Sequence, residues 1–280
     1  MPEGDTIHRT AARLASALEG GTVASVEVAR WAGALPSSGE VVDAVSARGK
    51  HLLIDFSGGL TLHTHLGMSG SWHLYRDGQR WQRPRHLARA TVGVDGWAAV
   101  CFAAPLVRLE RRGDPRLLDH LGPDLTRDDV DLDAAVARLD GLGSVEIGVA
   151  LLDQRVACGV GNVYKSETLF ACGIDPTTRV GDLDPVTRRE LLGCASRLLR
   201  ANLGSGPRRT VDGGLAVYGR AGRPCRRCGT PVAVARQGTE ARVTYWCPTC
   251  QPPADRGGSY DPAGPVARQA GPDHGEVSDR

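Results

Sequence analysis

Pro2 and Glu3 are the first residues along this chain whose types could do covalent chemistry. Removal of the initiator Met, usual before a small residue, would leave Pro2 with a free secondary amine able to attack an electrophilic carbon and form an iminium. An N-terminal amine titrates close enough to neutrality to be unprotonated where an ordinary lysine is not. Glu3 sets a carboxyl beside it for proton transfer. The pair alone is a common way for a chain to begin, so its weight depends on features found elsewhere.

Lysine is one of them. Of 34 basic residues only Lys50 and Lys165 are lysine, the rest being arginine. A compact ammonium can shift its pKa and pass a proton where a guanidinium cannot, so both positions invite a chemical explanation. Lys50 lies in Arg48-Gly49-Lys50-His51-Leu52. Lys165 follows Gly159-Val160-Gly161-Asn162, a turn whose glycines let backbone amides point outward ahead of a helix beginning at Asn162. A helix N-terminus binds anions through free N–H groups and its dipole, so this turn could clamp a phosphate. An ordinary helix hairpin is the plainer reading of it. Glu167 reads as a brace for the turn.

Near the far end, Cys225-x2-Cys228 and Cys247-x2-Cys250 have the spacing of two knuckles facing each other across a hairpin. Four thiolates would close a tetrahedral shell with no place for water, which implies one structural zinc ion per chain. Redox pairing is the alternative. Val232–Arg236 and Arg242–Trp246 read as the hairpin strands, with Arg242 close to the tip. Cys101, Cys158, Cys172 and Cys194 are scattered singly and read as small buried hydrophobes.

These groups need elements to hold them. Asp5 to Gly20 reads as an amphipathic helix with Ile7, Ala11, Leu14, Ala15 and Leu18 on one face, which sets Pro2 just ahead of a helix N-terminus. Short strands then follow at Thr22–Arg30, Val41–Ala47, His51–Phe56, Leu60–Leu66, Trp72–Arg76, Ala90–Val94 and Ala98–Phe102, a density that suggests a β-sandwich. After an acidic linker the period becomes helical, in Leu132–Leu139, Val145–Ala157, Asn162–Ala171 and Pro185–Leu203. The fold class expected is α+β: an N-terminal β-sandwich with an N-terminal helix, then a helical domain ending in a four-cysteine hairpin. Residues 252–280, rich in Gly, Pro, Asp and Arg, read as a disordered tail.

The chain has 280 residues, 41% hydrophobic and 24% charged, which is globular and long enough for two cores. No apolar run approaches a membrane span, and His8, Arg9 and Arg13 occupy the place of a signal-peptide core. A cytoplasmic protein is expected. The net charge of +2 conceals twelve arginines against Glu190, Asp212 and Glu240 between Pro185 and Pro252. That third of the chain suits a polyanion, against the plainer reading of an arginine-rich solvated surface.

Taken in order, Met1-Pro2-Glu3-Gly4, Arg48-Gly49-Lys50-His51-Leu52, His65-Leu66-Gly67-Met68-Ser69-Gly70, Gly159-Val160-Gly161-Asn162 and the four-cysteine module resemble the formamidopyrimidine-DNA glycosylase/endonuclease VIII family of base-excision repair enzymes. The resemblance spans roughly residues 1 to 251. It implies a bifunctional DNA glycosylase and abasic-site lyase. The expected parts are a catalytic sandwich at 1–122, a helix-two-turns-helix domain at 123–220, a zinc finger at 221–251 and the tail at 252–280, with DNA in the cleft between the halves. Pro2 would attack C1′ of the damaged nucleotide, giving a Schiff base and then β,δ-elimination, and Glu3 would serve as the acid. Lys50 would contact the phosphate by the lesion. Asn162 and Arg242 would hold flanking phosphates, Met68 would fill the hole left in the stack, and Lys165 is grouped with these DNA contacts. Damaged double-stranded DNA is the implied partner, with single-stranded or bubble DNA as the alternative, bound by a monomer associated with the nucleoid.

Two departures bear on substrate. The start Pro2-Glu3-Gly4-Asp5-Thr6 is like the endonuclease VIII branch and unlike the purine-specific one, and only Arg208 to Ala216 stands where that branch has a long base-covering loop before Val217-Tyr218-Gly219-Arg220. Oxidised pyrimidines are therefore expected as substrates, with oxidised purines as the alternative. The Arg and Phe that accompany the wedge Met in the purine branch have no clear match, and Leu109-Glu110-Arg111-Arg112 occupies the region. The rival from another class is a non-catalytic zinc-ribbon DNA-binding protein, which would leave the lysines and the β domain without a purpose.

Overall fold

In the computed structural model the described residues are 2–114 and 118–253. Helix α1 (Gly4–Leu18) opens the chain. Ile7, Ala11, Leu14 and Leu18, spaced by three or four, are all buried and form its core stripe. Each of the larger ones contributes about 1.5–3 kcal/mol by burial.

Eight strands follow: β1 (Val23–Val28), β2 (Val42–Arg48), β3 (His51–Phe56), β4 (Leu60–His65), β5 (Ser71–Arg76), β6 (Ala88–Val94), β7 (Trp97–Phe102) and β8 (Leu106–Arg111). They form two antiparallel four-stranded sheets in the orders β1-β6-β7-β5 and β2-β3-β4-β8. Leu52, Ile54 and Phe56 of β3 and Leu62 of β4 point inward, with Trp72, Val92, Val94 and Ala99 from the other sheet and the α1 stripe in the same core. The seven expected strands are all present within a few residues. β8 was not anticipated, because Arg108 and Glu110 occupy its outward face and only Val107 and Leu109 pack on the core, a pattern suited to an edge strand.

The second half is built from α2 (Leu132–Asp140), α3 (Ile147–Ala150), α4 (Asn162–Cys172) and α5 (Pro185–Arg200) around their own core. Helix α5 starts where expected, with Pro185 in its first turn and the Asp184 carboxylate accepting from Thr187 N at 2.9 Å. The helix expected over Val145–Ala157 shrinks to four residues of α3 followed by turns. Asp153 explains the stop, since its carboxylate accepts from Arg155 N at 2.9 Å and diverts the backbone into a turn. Strands β9 (Ala233–Gln237) and β10 (Arg242–Trp246) make the anticipated hairpin. The tail expected at 252–280 lies outside the described residues from 254 onward. No helix among the described residues is long and apolar enough to cross a membrane.

Candidate active site

The seam between the two halves is made by the first residues of the chain. Glu3 is the N-cap of α1 by its backbone, yet its side chain turns away from that helix. Its carboxylate is fully buried and accepts from Gly161 N at 3.0 Å, Val163 N at 2.8 Å and Tyr164 N at 3.2 Å, so it caps α4. Gly161 is glycine for this reason: a Cβ there would lie 2.4 Å from the Glu3 Cδ. Gly4 N donates to Gly159 O at 2.9 Å, and a Cβ on Gly4 would meet the Gly159 Cα at 2.9 Å. Pro2 is therefore locked at the junction of α1 with the Gly159–Asn162 turn.

Lys50 reaches the same place from the sandwich. It sits in the β2–β3 turn, where Gly49 has φ +56° and packs against Cys158 so closely that a Cβ would come within 2.7 Å of the Cys158 Cβ. Gly49 N donates to Asp124 Oδ2 at 2.6 Å. Asp124 Oδ1 also accepts from Thr126 N at 2.9 Å, while His8 Nε2 of α1 lies 2.7 Å from Thr126 Oγ1. One buried carboxylate thus joins α1, the Lys50 turn and the second half.

The electrostatics follow from burial. Burial pushes the Glu3 carboxyl above its usual range, against the opposing pull of Arg208, the Val163 N–H and Lys50. Burial also lowers the Lys50 ammonium to about 8, with Glu3 drawing it up and Arg242 pressing it down. A carboxyl whose hold on a proton is strengthened by burial and an ammonium whose hold is weakened lie beside a candidate nucleophile.

A further member comes from the short segment after α5. Arg208 grips Asp5 with a fork, Nε to Oδ2 at 2.9 Å and Nη2 to Oδ1 at 2.5 Å, and adds Thr6 Oγ1 at 3.0 Å. Its guanidinium lies over the Tyr164 ring. Sequence reading missed this pair, because 203 residues separate its members and neither has a local signature. Glu167, expected to brace the Gly159–Asn162 turn, instead holds the segment after α5: its buried carboxylate accepts from Ala216, Val217 and Tyr218 N–H at 2.8, 2.9 and 2.8 Å.

The other expected site residues fall in different settings. Asn162 begins α4, is 9% exposed, and its Oδ1 has no hydrogen-bond partner among the described residues. Met68 stands out from the β4–β5 turn at 69% exposure. Arg242 begins β10 near the hairpin tip and pairs there with Glu240, Nε to Oε2 at 2.8 Å. Lys165, in contrast, is fully buried. Its Nζ donates to Thr244 Oγ1 at 2.7 Å and to Val243 O at 3.3 Å, and burial lowers it to about 8. Its hydrogen-bond partners are on β10.

The Sγ atoms of Cys225, Cys228, Cys247 and Cys250 all lie within 4.8 Å of one another. A tetrahedral ion with bonds of about 2.3 Å to sulfur needs such a cluster. These four cysteines are placed to bind a metal.

Residues 1–105 match the formamidopyrimidine-DNA glycosylase N-terminal domain, and residues 121–210 match the H2TH domain of the same enzymes. The chain belongs to the formamidopyrimidine-DNA glycosylase/endonuclease VIII family. It is 45% identical over 268 residues to a protein of Streptomyces coelicolor named probable endonuclease 8 2, covering 92% of this chain and 97% of that one. It is 42% identical over 260 residues to the DNA-(apurinic or apyrimidinic site) lyase Nei2 of Mycolicibacterium smegmatis, covering 90% and 99%. Its fold is similar to that of the Thermus thermophilus MutM (Fpg) crystal structure, with a TM-score of 0.74 and 31% identity over 91% of this chain and all of that one. It is also similar in fold to the Lactococcus lactis enzyme bound to DNA containing an abasic site, with a TM-score of 0.76 over 90% of this chain and 23% identity. The family is one of DNA glycosylases and lyases, and this chain is an enzyme of it.

Proposed function

We propose that this chain removes oxidised bases from DNA and cleaves the resulting abasic site through a Schiff base on Pro2, preferring oxidised pyrimidines. The burial of Glu3 against the N-terminus of α4, one residue from Pro2, carries the reading, since it fixes an amine and a proton-holding carboxyl in one rigid place. The Pro2 nitrogen donates its lone pair to C1′, the bond from C1′ to the base breaks, and the proton released from the alkylated Pro2 nitrogen balances the departing base. Protonated Glu3 supplies a proton to the sugar oxygen as the ring opens to the iminium. Loss of the C2′ proton then expels the 3′ phosphate, and δ-elimination expels the 5′ one. Lys50, Asn162 and Arg242 hold the phosphates about the flipped nucleotide, and Met68 enters the vacated stack, which offsets the few kcal/mol that flipping costs. Lys165 acts through the hairpin that carries Arg242. Damaged duplex DNA is the substrate of a monomer in the cytoplasm, zinc is the metal the four cysteines hold, and it serves to shape the hairpin. The sandwich, helical and finger units correspond to residues 1–122, 123–220 and 221–251.

The pyrimidine preference rests on the 208–216 segment, which Glu167 and Arg208 pin against α4 and α1 instead of leaving it as a lid. Excision in single-turnover conditions from matched duplexes should be faster for thymine glycol than for 8-oxoguanine opposite cytosine. An 8-oxoguanine rate equal or higher would overturn the preference. The non-catalytic DNA-binding alternative leaves the buried Glu3 and its glycine-lined seat without a purpose.

A further inference from the structure

One sheet of the sandwich carries a second apolar cluster on its outer face. In β5 and β7, Trp72, Leu74, Ala99 and Cys101 turn into the core, so Tyr75, Val100 and Phe102 turn the other way. The segment joining β5 to β6 covers them. Its Trp81 and Leu87 pack on that cluster, the Trp81 ring standing edge-on to Phe102 at 5.7 Å between centroids. Gln82 N donates to Tyr75 Oη at 3.1 Å, Arg76 N to Gln79 Oε1 at 3.0 Å, and Ala103 N to Leu87 O at 2.8 Å. The segment is a folded part of the sandwich with its own anchor.

What this anchor holds up is positive charge. From Arg76 to Arg89 the chain has five arginines against one acid, Asp77. Arg76, Arg80 and Arg85 are exposed, Arg83 and Arg89 half-buried. Among the described residues none of the five is paired with a carboxylate. In the second half, by contrast, Arg127, Arg155, Arg188 and Arg200 each pair with an aspartate. Two of the five are held by rings: the Arg76 guanidinium lies 3.7 Å from the Trp97 ring centroid, and that of Arg85 lies 4.8 Å from the Trp81 centroid. A guanidinium resting on a ring keeps its N–H edges free for an oxygen acceptor. Repulsion among unpaired guanidiniums on one surface is relieved by a polyanion.

Position says which polyanion. The segment leaves the far end of β5 and returns to Ala88, which pairs with Phe102 as Ser71 does at the start of β5. It therefore runs the length of that strand, about 20 Å. Gln82 lines the same recess as Pro2, Gly70 and Ser71, so the strip of arginines begins beside the candidate nucleophile and leads away on one side. A DNA strand carries one charge per about 3.4 Å of axis, and about 20 Å corresponds to about six base pairs. We propose that the β5–β6 segment is a second DNA grip outside the cleft, taking backbone phosphates on one flank of the lesion without reading base or damage. This rests on the glycosylase reading above and adds a contact made equally to intact DNA. Clamps in the cleft need a nucleotide turned out of the stack, whereas guanidiniums on an outer sheet face need only phosphates.

The triple variant Arg80→Gln, Arg83→Gln, Arg85→Gln removes three charges and leaves Trp81 and Leu87 in place. Its affinity for intact duplex DNA should fall about tenfold, and the slope of log affinity against log salt should shrink by about 2 to 3. Lysine at the same three positions should restore both, since a phosphate accepts a point charge. Trimming one flank of a thymine glycol duplex to about two base pairs should weaken the unaltered protein and leave the glutamine variant unmoved, while trimming the other flank affects both alike. Single-turnover excision at saturating protein should stay within about twofold. An unchanged salt slope, indifference to both flanks, or failure of the lysine variant would overturn the inference and leave the strip to a partner other than DNA. Loss of excision at saturation would overturn it too, as the segment would then shape the active site. If the unaltered protein gripped intact DNA as expected but excised no lesion, the glycosylase reading would fall and the grip would stand.

Discussion

Lys50 shows most directly how burial converts a residue type into a function. An exposed lysine would stay charged through the whole working range, whereas this one, lowered to about 8 by burial, loses its charge as pH rises through that value. Lesion-DNA affinity should therefore decline above pH 8. Lys50→Arg should carry binding to higher pH, since arginine keeps its charge. Affinity measured from pH 7 to 9.5 would check this, and identical basic limbs in both proteins would contradict it. The scarcity of lysine pointed to both Lys50 and Lys165, and the two are buried in different settings, Lys50 in the β2–β3 turn and Lys165 against β10. Nothing in sequence separates an ammonium that faces a cleft from one that faces Thr244, because the difference lies in how the hairpin packs on α4. Arg208 and Asp5 were out of reach for the same reason, as a fork between residues at opposite ends of a chain leaves no local trace.

At the scale of elements, the hairpin is held to the helical half by buried polar contacts. Lys165 reaches Thr244 and Val243, Gln237 Nε2 donates to Glu146 Oε2 and Pro176 O at 2.8 Å each, and Gln251 Nε2 donates to Ile174 O at 2.8 Å. Lys165→Met should loosen this docking and weaken DNA binding about tenfold for all sequences, leaving the metal in place. Metal analysis with binding titrations at several salt concentrations tests it, and a loss confined to one sequence context would contradict a phosphate-clamping hairpin. The strands legible in sequence were those whose apolar residues alternate over a long stretch. β8 escaped because it is an edge with two inward residues, and α3 was overextended because one aspartate side chain outcompeted helical periodicity.

Across the whole molecule the two halves are joined by buried polar groups and by a small apolar cluster of Leu53, Leu118, Leu121 and Cys158, and pH should act on a group of histidines carried by β3 and β4 beside that junction. His51 and His63 lie 2.8 Å apart between ring nitrogens, with His65, His120, Arg108 and Lys50 around them. Burial, with these neighbouring charges, lowers His51 to about 3 and His63 to about 4. The folded state thus keeps both neutral, while the unfolded chain takes up protons below about 6.5. Their contribution is complete above that value and is lost as pH falls toward 4, by up to about 1.4 kcal/mol per histidine per pH unit. Urea unfolding at pH 7 and pH 5 should show a large drop that His51→Gln reduces. An equal drop in both proteins would contradict the assignment.

On the proposed reading the first residues of the chain are its chemical centre. Borohydride reduction of the protein on abasic-site DNA, followed by peptide mapping of the cross-linked product, tests that most directly. The account predicts a reduced cross-link on the Pro2 nitrogen, and near-complete loss of trapping when a tag is retained ahead of Pro2 or when Pro2 is replaced by Gly. Undiminished trapping in the tagged protein, or a cross-link mapped to Lys50, would contradict it.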